Sequence, residues 1–240
     1  MQDRYTGDIG DFSKLGLLRA LVAAGFSVGL NWYLVPDETH NGDGRHVDYL
    51  KSERFAKCDE GLWRALGEIV DGGDRRVSLM EDDRILEATF FSERLDLKGL
   101  SRDERLSSRC AWYERSLAAM AGMDVVCVDP DNGLVVPSAA GTAREGKYVL
   151  PEELAGYYRQ GSSVICYQHK ARRSDDHYAR LFEGLLATGD FPGATGTVLK
   201  FITTSQRYYL LIVQPPHRQA VSQVVEDFLE GAWKDHFRLL

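Results

Sequence analysis

The stretch "GTVLKFITTSQRYYLLIVQ" (Gly196–Gln214) sets the topology expected of this chain. Two runs rich in β-branched and aromatic residues, 196–204 and 207–214, are separated by little more than Ser205-Gln206. Such a gap closes a hairpin and is too short for the crossover that joins parallel strands. Upstream, five strand-like runs (28–35, 75–80, 88–95, 124–129 and 162–169) alternate with helical or loop segments. That alternation predicts parallel strands covered by helices on both faces. The expected fold is an α/β, Rossmann-like three-layer sandwich spanning 1–240, with a mostly parallel seven-stranded sheet that ends in a C-terminal antiparallel hairpin.

The helices carry their own start and stop signals. Phe12, Leu15, Leu18, Leu21 and Val22 recur at helical spacing between a cap at Asp11 and a stop at Gly25. Residues 59–73 read as a helix ending at Gly72-Gly73, and 101–122 as a longer one with Leu106, Cys110, Tyr113, Leu117 and Met120 on one face. Pro151 opens a compact helix, Ser174 caps another, and 218–233 is the last.

The chain has 240 residues, 44 % hydrophobic and 27 % charged, with a formal net charge of −7. This balance argues against a general nucleic-acid coat, which needs a basic face, while leaving room for a local basic groove. Cys58, Cys110, Cys127 and Cys166 show no metal-ligand spacing and no disulfide framework, so a reducing cytoplasm is expected. No apolar run is long enough to span a bilayer, and "MQDRYTGDIGDF" has no signal-peptide core.

In an open α/β sheet, ligands bind at the carboxyl ends of the strands. The first strand runs into Asp37, Glu38 and Gly42-Asp43-Gly44, where glycine lets backbone approach a ligand and a carboxylate can accept from an amine or ribose. The fourth runs into Asp129-Pro130-Asp131-Asn132-Gly133. Pro130 stiffens this loop, which presents two carboxylates and an amide to an exocyclic amine or a divalent metal; an Asx turn is the plainer alternative. The fifth ends in Gln168, His169 and Lys170, beside Arg172 and Arg173. Gly7, Asp8, Gly10 and Asp11 lead into the first helix as a site for a polar or cationic ligand, or simply as a cap.

The order of these motifs resembles that of the bacterial large-subunit ribosomal RNA adenine-N6 methyltransferases. Tyr5, Gly7, Asp8, Gly10, Asp11 and Lys14 sit similarly to that family's opening segment. Asp37, Gly42 and Gly44 match its cofactor loop, and Asp129-Pro130 match the start of its Asp-Pro-Pro-Tyr loop. The sequence departs from that loop at Asp131 and at Asn132, which stands where an aromatic residue would stack on a flipped base. "GDIGDF" and "DPDNGL" also resemble stretches in phage-associated and bacterial proteins of unassigned role.

The resemblance implies a class I methyltransferase fold, S-adenosylmethionine as cofactor, and an amino group of a nucleobase as target. It would place Lys14, Asp37, Gly42, Gly44, Glu81 and Asp82 at the cofactor, with the last two at the ribose. Asp129, Pro130, Asp131 and Asn132 would act at the reacting amine, and Tyr5, Asp8, Gln168, His169 and Lys170 at the substrate. Two alternatives stay open. One is a Mg²⁺-dependent nuclease using Asp129, Asp131 and Lys170. The other is a non-catalytic binding protein on a degenerate methyltransferase fold.

Overall fold

The computed structural model describes residues 1–38, 44–203 and 205–240. The described strands are β1 (Val28–Asn31), β2 (Thr89–Phe91), β3 (Val125–Val128), β4 (Gly133–Leu134), β5 (Tyr148–Val149), β6 (Ser163–His169), β7 (Thr195–Phe201), β8 (Arg207–Val213) and β9 (Phe237–Leu239). Seven of them form one sheet in the order β2-β1-β3-β6-β8-β7-β9, while β4 and β5 pair separately. The β2, β1, β3 and β6 ladders are parallel, and β8 is antiparallel to both β6 and β7. The expected hairpin is therefore present, with Thr195 opposite Val213 and Phe201 opposite Arg207.

The helices are α1 (Ile9–Ala23), α2 (Glu53–Ala56), α3 (Glu60–Asp71), α4 (Arg102–Ala119), α5 (Pro151–Arg159), α6 (Asp175–Leu186) and α7 (Arg218–Glu230). They cover both faces of the sheet. Phe12, Leu15 and Leu18 of α1, Leu62 and Leu66 of α3, and Val221 and Val225 of α7 pack against Val125, Cys127, Ile165, Tyr209 and Leu211. On the other face, Trp112 of α4, Tyr157 of α5 and Phe182 of α6 pack against Val126, Val128, Val164, Cys166, Tyr208 and Leu210. Adjacent strand residues thus feed opposite cores, as a pleated strand buried on both sides requires. No helix among the described residues is long and apolar enough to cross a membrane.

Four local expectations change. The run 75–80 is not a strand: Val77–Leu79 form a 3₁₀ turn, and the seventh strand is β9, paired with β7 after the last helix. β1 stops at Asn31 because the Asn31 side chain accepts from Tyr33 N (2.9 Å) and Tyr33 takes a positive φ of 46°. The cap of α1 is Asp8, not Asp11: its Oδ1 accepts from Gly10 N (2.6 Å) and Asp11 N (3.2 Å). Finally, α4 buries Arg109, Trp112 and Ser116, while Leu106 is 66 % exposed. Burial of Arg109 rotates the inward face, because its guanidinium pairs with Glu153 of α5 at 2.7 Å.

Candidate functional site

The carboxyl ends of β1, β3 and β6 and the first turn of α1 enclose a cavity of about 380 Å³. Capping by Asp8 starts α1 so that Asp11 and Lys14, one turn apart, share the face turned to the sheet. Lys14 Nζ donates to Asp11 Oδ1 at 2.8 Å and to Asp129 Oδ2 at 2.6 Å. It also stands 4.6 Å above the Trp32 ring. All three ionisable residues are buried.

This trio carries two carboxylates on one ammonium. Burial works against a charged Lys14, but Asp11 and Asp129 together hold its pKa well above the usual lysine value. Burial is also the largest influence on the two acids, and a single lysine does not offset it for both, so both are raised. Asp131 behaves oppositely. Burial pushes it upward, yet the Met1 amine at 2.8 Å, the Gln2 amide at 2.6 Å and Lys147 at 3.8 Å hold it below the usual carboxylate value.

The loop after β3 is rigid, and its main clamp is Gln168. The Gln168 amide oxygen accepts from Leu134 N at 3.0 Å, and its nitrogen donates to the carbonyls of Asn132 (2.8 Å) and His169 (3.0 Å). Asn132 N donates in turn to Lys147 O at 3.0 Å. Gly133 has φ +101°, and a Cβ there would lie 2.2 Å from Gln168 Oε1, so the turn requires glycine. The Asn132 side chain lines the cavity and makes no hydrogen bond among the described residues.

The cavity brings together Tyr5, Asp8, Lys14, Gly44, Asp129, Pro130, Asp131, Asn132 and His169 from the sequence-predicted set. Other expected residues lie elsewhere. Gln168 is buried beneath the loop and supports it. Lys170 turns away to Arg173 O (2.8 Å) and Asp175 (3.1 Å), since α6 offers it a carboxylate. Asp37 accepts from Arg4 N at 3.2 Å, and Glu38 faces the cavity instead. Glu81 accepts from Trp32 Nε1 at 3.0 Å, Asp82 pairs with Arg84, and both border a separate groove beside α3. They precede β2 rather than follow it, so they are not at a strand's carboxyl end. Gly42 lies outside the described residues.

Residues not foreseen as lining include Glu38's partner Lys147, His46, Tyr167 and Arg207. Arg207 alone carried a sequence signal: a charged residue opening an otherwise apolar strand. Asp129 Oδ2 and Asp131 Oδ1 are each bound to an ammonium group and Asp131 Oδ2 to the Gln2 amide, which leaves Asp129 Oδ1 as the one oxygen of the pair without a partner among the described residues. Among the described residues there is no group of three or more His, Cys, Asp or Glu placed to hold a metal.

The fold is a Rossmann-like α/β sandwich with a cavity beyond the carboxyl ends of its parallel strands. Comparison with known protein families and with curated proteins finds no match to this sequence.

Proposed function

We propose that the protein binds S-adenosylmethionine in this cavity and transfers its methyl group to an amino group, with a nucleobase as the preferred acceptor class. One observation supports this most: the Asp129-Pro130-Asp131-Asn132 loop faces a mixed-charge cavity beyond the ends of β1, β3 and β6. Among the described residues five carboxylates line it (Asp8, Asp11, Glu38, Asp129 and Asp131), against three cationic side chains (Lys14, Lys147 and Arg207) and the Met1 amine. Both signs suit a cofactor that carries a sulfonium, an ammonium and a carboxylate. The sheet adds support, because its parallel half is followed by an antiparallel pair, β7 and β8, as in class I methyltransferases.

When bound, the cofactor would supply an electrophilic methyl group on its sulfonium. This chain's residues would do the rest by positioning. Lys14 fixes Asp129 through Oδ2, while Asp129 Oδ1 makes no hydrogen bond among the described residues and is free to accept from the target amine. Its raised proton affinity favours taking up the proton that the amine loses. The Asn132 amide oxygen offers a second acceptor from the same stiff loop. Tyr5 and Tyr167 supply aromatic surface at the cavity wall in place of the aromatic residue absent at position 132.

Titration calorimetry with S-adenosylmethionine and S-adenosylhomocysteine tests this. Saturable binding of both is expected, weakened by Asp8→Asn plus Glu38→Gln, which reduce the negative lining. Absence of heat at millimolar cofactor would end the proposal.

A further inference from the structure

We propose that Arg207 is the anion-binding arm of the cavity, receiving a singly charged oxyanion of the ligand, either a carboxylate or a phosphodiester. Arg207 opens β8, paired with His169 of β6 on one side and Phe201 of β7 on the other. It is 4 % exposed and lines the cavity. Its guanidinium lies 5.9 Å from the Tyr167 ring centre and 5.8 Å from that of Phe201.

The polar end of this side chain is poorly satisfied. Nε donates to Ser205 O at 3.0 Å. The closest carboxylate oxygen, Asp8 Oδ1, is 4.0 Å from Nη1 and already accepts from Gly10 N and Asp11 N. Among the described residues, Nη1 and Nη2 make no hydrogen bond. Arg109, equally buried at 3 % exposure, provides the contrast. Its Nε and Nη2 bind Glu153 at 2.7 and 2.8 Å, and its Nη1 and Nη2 bind the carbonyls of Glu145 and Tyr148 at 2.9 and 2.7 Å. Arg109 is a structural arginine with every nitrogen used. Arg207 leaves the fork open that suits an oxyanion in bidentate geometry.

Among the described residues its charge is held without a direct ion pair: burial works against it, and its surroundings, Asp8 and Asp11 among them, outweigh that and favour the cation. A Cβ on Gly10 would lie 1.6 Å from Nη1, so the guanidinium occupies the space beside the first turn of α1. A cation there meets the positive end of the helix dipole. Asp8 and Asp11 counter that end of the dipole. They also limit the ligand, because their charges disfavour a dianion more than a monoanion. The assignment rests on these surroundings and does not depend on methyl transfer.

The test uses the full chain, its Arg207→Met and Gly10→Ala variants, and two probe pairs in titration calorimetry. S-adenosylhomocysteine is paired with 5′-methylthioadenosine, which lacks the carboxylate and the amino group. The dinucleotide ApA is paired with adenosine, which lacks the phosphodiester. The wild type should bind the oxyanion-bearing member of at least one pair about tenfold tighter or more. Arg207→Met should abolish that preference while keeping the uncharged partner's affinity. Gly10→Ala, which displaces the guanidinium without removing it, should do the same. A preference in the first pair assigns the arm to a cofactor carboxylate, and one in the second to a nucleic-acid backbone. No preference in either pair, or a preference that survives Arg207→Met, would overturn the proposal. Should S-adenosylhomocysteine fail to bind while ApA shows an Arg207-dependent preference, the anion arm stands and the methyltransferase proposal falls.

Discussion

Lys14 Nζ and Asp129 Oδ2 are 2.6 Å apart across 115 residues of sequence. This contact joins the second turn of α1 to the loop after β3, and Asp11 completes it from one helical turn before. The trio belongs both to the scaffold and to the candidate site, so removing its cation has a defined energetic signature.

Lys14→Met leaves two buried carboxylates without their ammonium, which costs about 3–5 kcal/mol near neutral pH. Asp11 and Asp129 already have folded-state pKa values above 3.8, and the variant raises them further. A carboxylate raised in the folded state contributes stability that is fully present below its unfolded value and lost as pH rises through the folded one. The deficit measured by urea denaturation should therefore be small near pH 4 and grow towards pH 7. An equal deficit at both pH values would contradict this account of the trio.

The turn at Gly133 is a second test of the scaffold. Gly133→Ala places a methyl group 2.2 Å from Gln168 Oε1 and forces alanine to φ +101°. The backbone alone costs about 1–2 kcal/mol, before the contact is counted. Gln168→Ala removes the clamp and costs about 1–3 kcal/mol through unsatisfied loop groups. The two should not add: in the Gln168→Ala background Gly133→Ala should cost at least about 0.5 kcal/mol less. Additive losses in a double-mutant cycle would show that the close approach does not govern the turn.

The pleated strands and the hairpin were legible because apolar runs of the right length leave few alternatives once a two-residue gap forbids a crossover. β9 was not, because Phe237–Leu239 is too short to carry periodicity and becomes a strand only through pairing with β7. The inward face of α4 was misread for a physical reason: Arg109 looks like a surface residue until Glu153 arrives from 44 positions away. In the site, the loop after β3 was legible from its proline, glycine and acids. Gln168 was placed at the correct rim, but its commitment to the Asn132 and Leu134 backbone depends on register between β3 and β6, which no local pattern encodes. The pairing of Asp11 with Lys14 was hidden by the cap assignment, since Asp8 and Asp11 are both plausible caps from composition alone.

Asp175 predicts how the protein responds to acid. Its carboxylate accepts from Lys200 (2.7 Å), Lys170 (3.1 Å), Arg238 (2.8 Å) and the Tyr208 hydroxyl (2.7 Å). Partial burial pushes its pKa up, but hydrogen bonds from Lys200, Tyr208 and Lys170 outweigh that and lower it well below 3.8. A depressed carboxylate contributes stability that is present above its unfolded value and lost as pH falls through the folded one. Asp175→Asn should cost about 1–3 kcal/mol at pH 7, chiefly by leaving buried Lys200 unpaired. The gap from the wild type should begin to narrow below about pH 4 and fade only as pH falls through the depressed folded value. A gap that widens in acid would show that Asp175 is not the ionised centre of this cluster.

Asn132 separates the candidate site from its scaffold. Its backbone is tied to Lys147 and Gln168, but its side chain makes no hydrogen bond among the described residues and lines the cavity. A side chain that holds nothing together can be truncated without unfolding the loop. Asn132→Ala should therefore leave the urea midpoint within about 0.5 kcal/mol of the wild type. It should weaken binding or turnover of the amine-bearing ligand by about tenfold, the worth of one lost hydrogen bond. Unchanged ligand affinity with unchanged stability would remove Asn132 from the site. A loss of several kcal/mol in stability would instead show that its amide is part of the clamp that Gln168 makes on the loop.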